Sequence, residues 1–188
     1  MDILGVDIFD FGVLIVAVWA MLPAYVPNNV AVVAGGGAPI DGGRTWNGER
    51  LLGDGKTWRG TIAGVAVGAL LALGLNIING TAADVLNVSL PEFPATVMVA
   101  MPLGAMLGDM GASFLKRRTG RQRGAAFPGV DQLDFVVMAL LLTSIAAPEW
   151  TLETFTLPVL TVVVVVTPFL HLTTNMLAYM LGLKNEPW

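Results

Sequence analysis

Long apolar runs without charge are the feature that most restricts this chain. Five stretches stand out, at about 10–33, 60–79, 94–114, 131–147 and 157–183. A helix needs about 20 apolar residues to cross roughly 30 Å of hydrocarbon. In lipid each backbone N–H and C=O must be satisfied inside the segment. Even the valine run "VLTVVVVVTPF", strand-like in water, therefore reads as helix. The fourth stretch is short and opens with charge. The expectation is an all-α polytopic membrane protein with about five transmembrane helices, its 188 residues forming one domain over 1–188. Composition agrees, at 55% hydrophobic and 13% charged, against about 25% charged for a soluble domain. No Lys or Arg precedes the first run and no small-residue cleavage site follows it, so a removable signal peptide is not expected. The lack of cysteine excludes disulfides, zinc–thiolate sites and thiol nucleophiles.

The charges that remain are sorted by side. Arg44, Arg50, Lys56 and Arg59 fall in the loop 34–59; Lys116, Arg117, Arg118, Arg121 and Arg123 fall in 115–130; Lys184 follows the last stretch. The other flanks carry only acids, among them Asp2, Asp7, Asp10, Asp84, Glu92, Glu149 and Glu153. Basic loops stay cytoplasmic. The N-terminus is thus expected outside, the C-terminus inside, and the chemistry on the cytoplasmic face of the cell membrane. Gly60, Gly64 and Gly68, and Gly104, Gly108 and Ala112, recur every four residues, a spacing that lets helix backbones approach closely. Trp150 and Trp188 read as interface anchors, and 80–93 as the one sizeable external loop.

Chemistry-bearing residues cluster on the basic side. Asp109, Ser113 and Lys116 are spaced to share one helix face. Asp109 lies within the third stretch, and a carboxylate in a membrane is costly enough to suggest function; the plainer alternative is a helix-end salt bridge. Pro128 and Gly129 mark a turn, after which Asp131 suits the N-cap of the fourth helix. Asp134 follows one turn on. Asp109, Asp131 and Asp134 could meet on neighbouring antiparallel helices. Carboxylate oxygens suit a hard cation, and Mg²⁺ is commonly held by one or two carboxylates plus substrate phosphates. Topology signalling and attraction to anionic lipid account for Arg118, Arg121 and Arg123 well, and for Lys116 less well.

The loop "ERLLGDGKTWRG" ends like a P-loop in Gly55-Lys56-Thr57, but Arg50 stands where that motif needs glycine. It reads instead as an unusual nucleotide-phosphate loop. Its glycines can offer N–H groups to anionic oxygens, Lys56, Thr57 and Arg59 add phosphate contacts, and a helix starts near Gly60 with its positive end toward the site. Asn28 and Asn29 intrude near the end of the first stretch; His171, Thr173 and Asn175 intrude in the fifth. For His171 a helix–helix hydrogen bond outranks catalysis, and Asn175 is placed as a cavity-lining residue.

The stretch "SFLKRRTGRQRGAAFPGVDQLDF" resembles the signature of the membrane CTP-dependent cytidylyltransferases, carried by Ser113, Lys116, Arg117, Pro128, Gly129, Asp131 and Asp134. The further His, Gly and Arg residues of the bacterial pattern are absent. With "PID" at 39–41, "GDGKTWRG" at 53–60, "VDQLDF" at 130–135 and "NMLAYMLGLKNEPW" at the end, residues 28–188 look most like the archaeal branch, the CDP-archaeol synthases. The resemblance implies Mg²⁺-dependent transfer of CMP from CTP to digeranylgeranylglyceryl phosphate, with CTP, that isoprenoid ether lipid and membrane lipids as partners and no nucleic acid. It places Asp109, Lys116, Asp131 and Asp134 in catalysis, with Asp131, Asp134 and Asp109 toward the metal. Asn28, Lys56, Thr57, Arg59, Ser113 and Arg117 then bind substrate. Two alternatives remain at this level. A CDP-alcohol phosphotransferase would use Asp41-Gly42 but lacks the following Ala-Arg pair; a small transporter would need polar positions at several depths.

Overall fold

Helix dominates because each long apolar run can satisfy its backbone alone. The computed structural model describes residues 10–121 and 129–183 (at 130 the backbone alone) and the backbone of 2–3 and 6–7. Arg123, Pro128, Lys184 and Trp188 lie outside the described residues. Two-residue strands β1 (Asp2–Ile3) and β2 (Val6–Asp7) pair antiparallel before α1 (Phe11–Ala34). A hairpin of β3 (Thr45–Trp46) and β4 (Glu49–Arg50) precedes α2 (Trp58–Leu86). Then come α3 (Ala95–Arg118), α4 (Val130–Ala146), the short α5 (Pro148–Thr154) and α6 (Leu157–Met180).

Four of these helices, α1, α2, α3 and α6, are long and apolar enough to cross a membrane. The expected fourth span is α4, whose 17 residues reach only about 25 Å, short of the roughly 30 Å hydrocarbon thickness. The expected external loop at 80–93 is also corrected. The helix α2 continues to Leu86, and Asn87 caps it in the left-handed region at φ 52°. Hydropathy falls at Gly80, but a helix needs only backbone bonds and has no breaker until Asn87. The remaining loop is held by side chains of α2: Asn76 exchanges two hydrogen bonds with the Phe93 backbone, and Asn79 donates to the carbonyls of Leu90 and Pro91. Trp150 donates to the Glu92 carbonyl and stacks beside Phe93 and Phe155, so it is a strut between this loop and α5.

The bundle is packed through its small residues. A Cβ at Gly64 would come within 2.7 Å of the Pro27 carbonyl oxygen, and at Gly68 within 2.9 Å of the Pro23 carbonyl oxygen. Pro27 lacks the N–H that would have bonded to Pro23, so α2 lies against a carbonyl that α1 cannot satisfy. A Cβ at Gly104 would sit 2.5 Å from the Met138 carbonyl oxygen, and at Gly108 it would overlap the Asp134 carbonyl. Despite Pro23 and Pro27, α1 is continuous. The core centres on Met21, Val97, Met101, Ala105, Ala139 and Val163. Large apolar side chains such as Leu70, Ile77, Val137, Leu141 and Phe169 point outward, as lipid-facing residues do.

Candidate active site

Successive long helices alternate in direction, which brings the C-terminal parts of α1, α3 and α6 together with the N-terminal ends of α2 and α4. A cavity of about 660 Å³ opens among them. Asp109, Asp131 and Asp134 all line it, together with Lys56, Thr57 and Asn28. The approach at Gly108 sets the Asp134 backbone against α3 beside Asp109. Positive helix ends of α2 and α4 both face this region, an arrangement that favours anions.

Each lysine here is already engaged. Lys56, in the loop before α2, pairs with Asp109 of α3. Lys116 lies 2.7 Å from the Asp131 carboxylate. Asp134 makes no salt bridge among the described residues. The expected capping role of Asp131 does not hold: Gly129, at φ 84°, is the N-cap, and its N–H is taken by the Gln132 side chain. Asp131 sits inside the first turn, free to face Lys116.

Thr57 is the N-cap of α2, its hydroxyl accepting from the Gly60 N–H. The helix therefore starts at Trp58, two residues before the expected Gly60. Asn28 presents a buried Oδ1 with no hydrogen-bond partner among the described residues. Arg59, Ser113, Lys116 and Arg117 do not line the cavity. Arg59 is exposed on the first turn of α2, and Arg117 donates to the Arg121 carbonyl. Lys116 reaches the cavity only through Asp131.

The opposite wall is apolar, built from α1 and α6, with Leu22, Val26, Val33, Leu170 and Leu177 among its residues. Its polar points are Tyr25, whose hydroxyl lies 2.8 Å from the Thr167 hydroxyl, and His171 with Asn175. His171 stacks on Phe135 and lies 3.2 Å from the Asn175 amide one turn along the same helix. The ring thus touches α4 through Phe135 as well as Asn175 within α6.

Among the described residues no three His, Asp or Glu side chains are gathered into a metal cage. The expected set of Asp109, Asp131 and Asp134 is therefore not preassembled, because two of the three are held by lysines. The donors still suit Mg²⁺, which takes one or two carboxylates and completes its shell with phosphate and water. Asp131 and Asp134, one turn apart on α4 and both lining the cavity, offer that pair.

The sequence reading missed the scaffold of the phosphate loop. Asp41 is buried, and its carboxylate accepts from Arg50 and from the N–H groups of Gly43, Leu52 and Gly53. The Arg50 guanidinium, then these backbone donors, hold the Asp41 carboxyl well below the usual carboxylate range. The signal for the hairpin was present in Asn47-Gly48, a pair suited to a two-residue turn with both φ positive, observed at 53° and 81°.

Known proteins agree with this architecture. Residues 10–188 match the family model described as CarS-like, CDP-archaeol synthase. The CDP-archaeol synthase of Halobacterium salinarum is 66% identical over 94% of this chain and 98% of its own length. That of Methanosarcina acetivorans is 47% identical over 89% of this chain and 100% of its own. A solved structure of an intramembrane enzyme for archaeal membrane lipid biosynthesis superposes with a TM-score of 0.69 at 37% identity, covering 85% of this chain and 92% of that one. With a continuous match along nearly the whole chain and a shared helical fold, the chain belongs to the CDP-archaeol synthase family.

Proposed function

We propose that this protein transfers CMP from CTP to the phosphate of an isoprenoid glycerol ether lipid, giving the CDP-lipid and pyrophosphate. Family membership supports the reaction and sets aside the phosphotransferase and transporter alternatives. The observation that carries the reading within this chain is the two-faced cavity: Lys56 with Asp109, Asp131 and Asp134 at one end, an apolar wall between α1 and α6 beside them. Such a space seats a charged triphosphate and a lipid headgroup together, with the chains leaving sideways into the bilayer. Digeranylgeranylglyceryl phosphate is the lipid we propose for it, and the basic loops support a cytoplasmic position for this end.

The lipid phosphate oxygen attacks the α-phosphorus of CTP. A P–O bond forms there as the bond to the β-phosphate oxygen breaks, and pyrophosphate departs. The nucleophile is already an anion near neutral pH, so no protein base and no covalent intermediate is required. Positioning and charge neutralisation then carry most of the catalysis. Lys56 leaves Asp109 for the triphosphate, and Lys116 leaves Asp131 for a phosphate oxygen. Thr57 donates its hydroxyl proton while still capping α2. Asp131 and Asp134, with Asp109 once released, would hold Mg²⁺, which supplies charge neutralisation at the phosphates.

Pyrophosphate release by the purified protein in detergent, with Mg²⁺, CTP and a dialkylglycerol phosphate, tests the reading. Release that needs all three components is expected. Folded protein that releases none, with all three present, overturns it.

A further inference from the structure

Arg118 has a structural use that its place in a basic run conceals. It ends α3, the helix that carries Asp109. Its two terminal nitrogens donate to the carbonyls of Trp46, Glu49 and Arg50, at 2.7, 3.3 and 3.0 Å. Its guanidinium carbon lies 5.3 Å from the Trp46 ring centre and 5.5 Å from that of Phe114. The residue is only partly exposed and is engaged by protein carbonyls and rings.

From Arg118 a continuous bonded path leads to the phosphate loop. The β3–β4 hairpin hands over to Arg50, which holds Asp41 at 2.6 Å. Asp41 gathers Gly43, Leu52 and Gly53. The neighbouring segment is sewn to the loop's end by Ile40 donating to the Lys56 carbonyl and Trp58 donating to the Ala38 carbonyl. Lys56 itself is tied to Asp109. Among the described residues the loop is therefore fastened to α3 at the Lys56–Asp109 pair and around Arg118, where the Trp46 ring also lies 6.2 Å from that of Phe114; Asp109 and Arg118 are about 13 Å apart along the helix axis. If Lys56 moves to a phosphate, that fastening opens, and the Arg118 hydrogen bonds are the polar tie that still holds the loop to α3, beside the Trp46–Phe114 ring contact.

We propose that Arg118 is a positioning residue for the nucleotide: it keeps the phosphate loop seated while Lys56 exchanges Asp109 for the triphosphate. This rests on the cytidylyl-transfer reading above. It concerns the CTP side only, since the lipid wall is built from α1 and α6.

Two variants test it, Arg118→Met, which keeps the apolar stem, and Arg118→Lys, which keeps the charge. A lysine cannot meet three carbonyls with one planar fork, so both variants are expected to fail alike. The Michaelis constant for CTP should rise about tenfold, the scale of losing charge-assisted hydrogen bonds. That for the lipid phosphate should stay within about twofold, because no Arg118 contact reaches the lipid wall; a change this small is well under the tenfold of one lost bond. Tryptic cleavage after Arg44 or Arg50, in folded protein without substrate, should quicken in both variants. A wild-type-like Arg118→Lys would reduce the residue to a charge and overturn the proposal. So would equal losses for both substrates, or an unchanged cleavage rate. Should Arg118→Met aggregate, Arg118→Lys decides alone. If the wild-type protein turns over no CTP, the functional reading fails, and the cleavage rates still decide whether Arg118 clamps the loop.

Discussion

At the scale of single residues, charge balance explains the candidate site. Three carboxylates and two lysines share one region, and the lysines quiet two of the acids. Asp134 stands apart as the carboxylate with no such partner among the described residues, so it is open to a cation. Replacing it by an isosteric amide removes one negative ligand and little volume. Asp134→Asn should lower Mg²⁺-dependent pyrophosphate release by at least about a hundredfold, on the order of 3 kcal/mol of barrier, with helical content unchanged by circular dichroism. Asp41 makes a different prediction. Its folded-state pKa is depressed by Arg50, so its bonds stabilise the loop above the ordinary carboxylate value of 3.8 and weaken as pH falls toward the lower folded value. Amide hydrogen exchange should show Gly43, Leu52 and Gly53 still protected at about pH 4. In Asp41→Asn that protection should be gone at neutral pH. The acids of the site were legible as residue types out of place in lipid. Their lysine partners were not, because Lys56 and Asp109 lie far apart in the chain and only the meeting of α2 and α3 pairs them.

Among the elements, the pair α3–α4 decides where the carboxylates stand. Glycine spacing in the sequence announced close packing, and the structure names the partners: Gly104 and Gly108 face the backbone of α4, while Gly64 and Gly68 face α1 and its prolines. Gly108 and Gly111 offer a contrast within one helix. A methyl at Gly108 would strike the Asp134 carbonyl, whereas one at Gly111 meets nothing within 4 Å. Gly108→Ala should therefore separate the helices, lower the melting temperature in detergent and remove most activity, a cost of about 1–3 kcal/mol for overpacking. Gly111→Ala should leave both near wild type. The length of α2 was misjudged from hydropathy, since polarity marks where lipid ends and not where a helix ends. The β3–β4 hairpin was legible in Asn47-Gly48, but two-residue strands leave no alternation to read.

On the scale of the whole molecule, alternating helix directions put the described basic residues, from Arg44 to Arg59 and from Lys116 to Arg121, at one end of the bundle. The positive-inside rule turns that asymmetry into an orientation. With no native cysteine, single introduced cysteines report it cleanly. Glu49→Cys, exposed in the hairpin, should react with a membrane-impermeant maleimide only from the cytoplasmic side. Asp84→Cys, exposed near the far end of α2, should react only from the outside. Reversed labelling would place the site outside the cell and separate it from cytoplasmic CTP.

Residue preferences alone settle which solvent this protein folds in. Apolar runs with clustered charge demand helices in lipid, and acids, lysines and glycines beside those runs mark the candidate site. Which acid faces which lysine, that the three expected ligands are not gathered into a metal cage, and that Arg118 bonds to the hairpin emerge from the packed fold. Hydropathy and local motifs follow from each residue's own preference for water or for a turn. Ion pairs and clamps depend on which distant segments the packed glycines allow to touch, and no single stretch of chain carries that information.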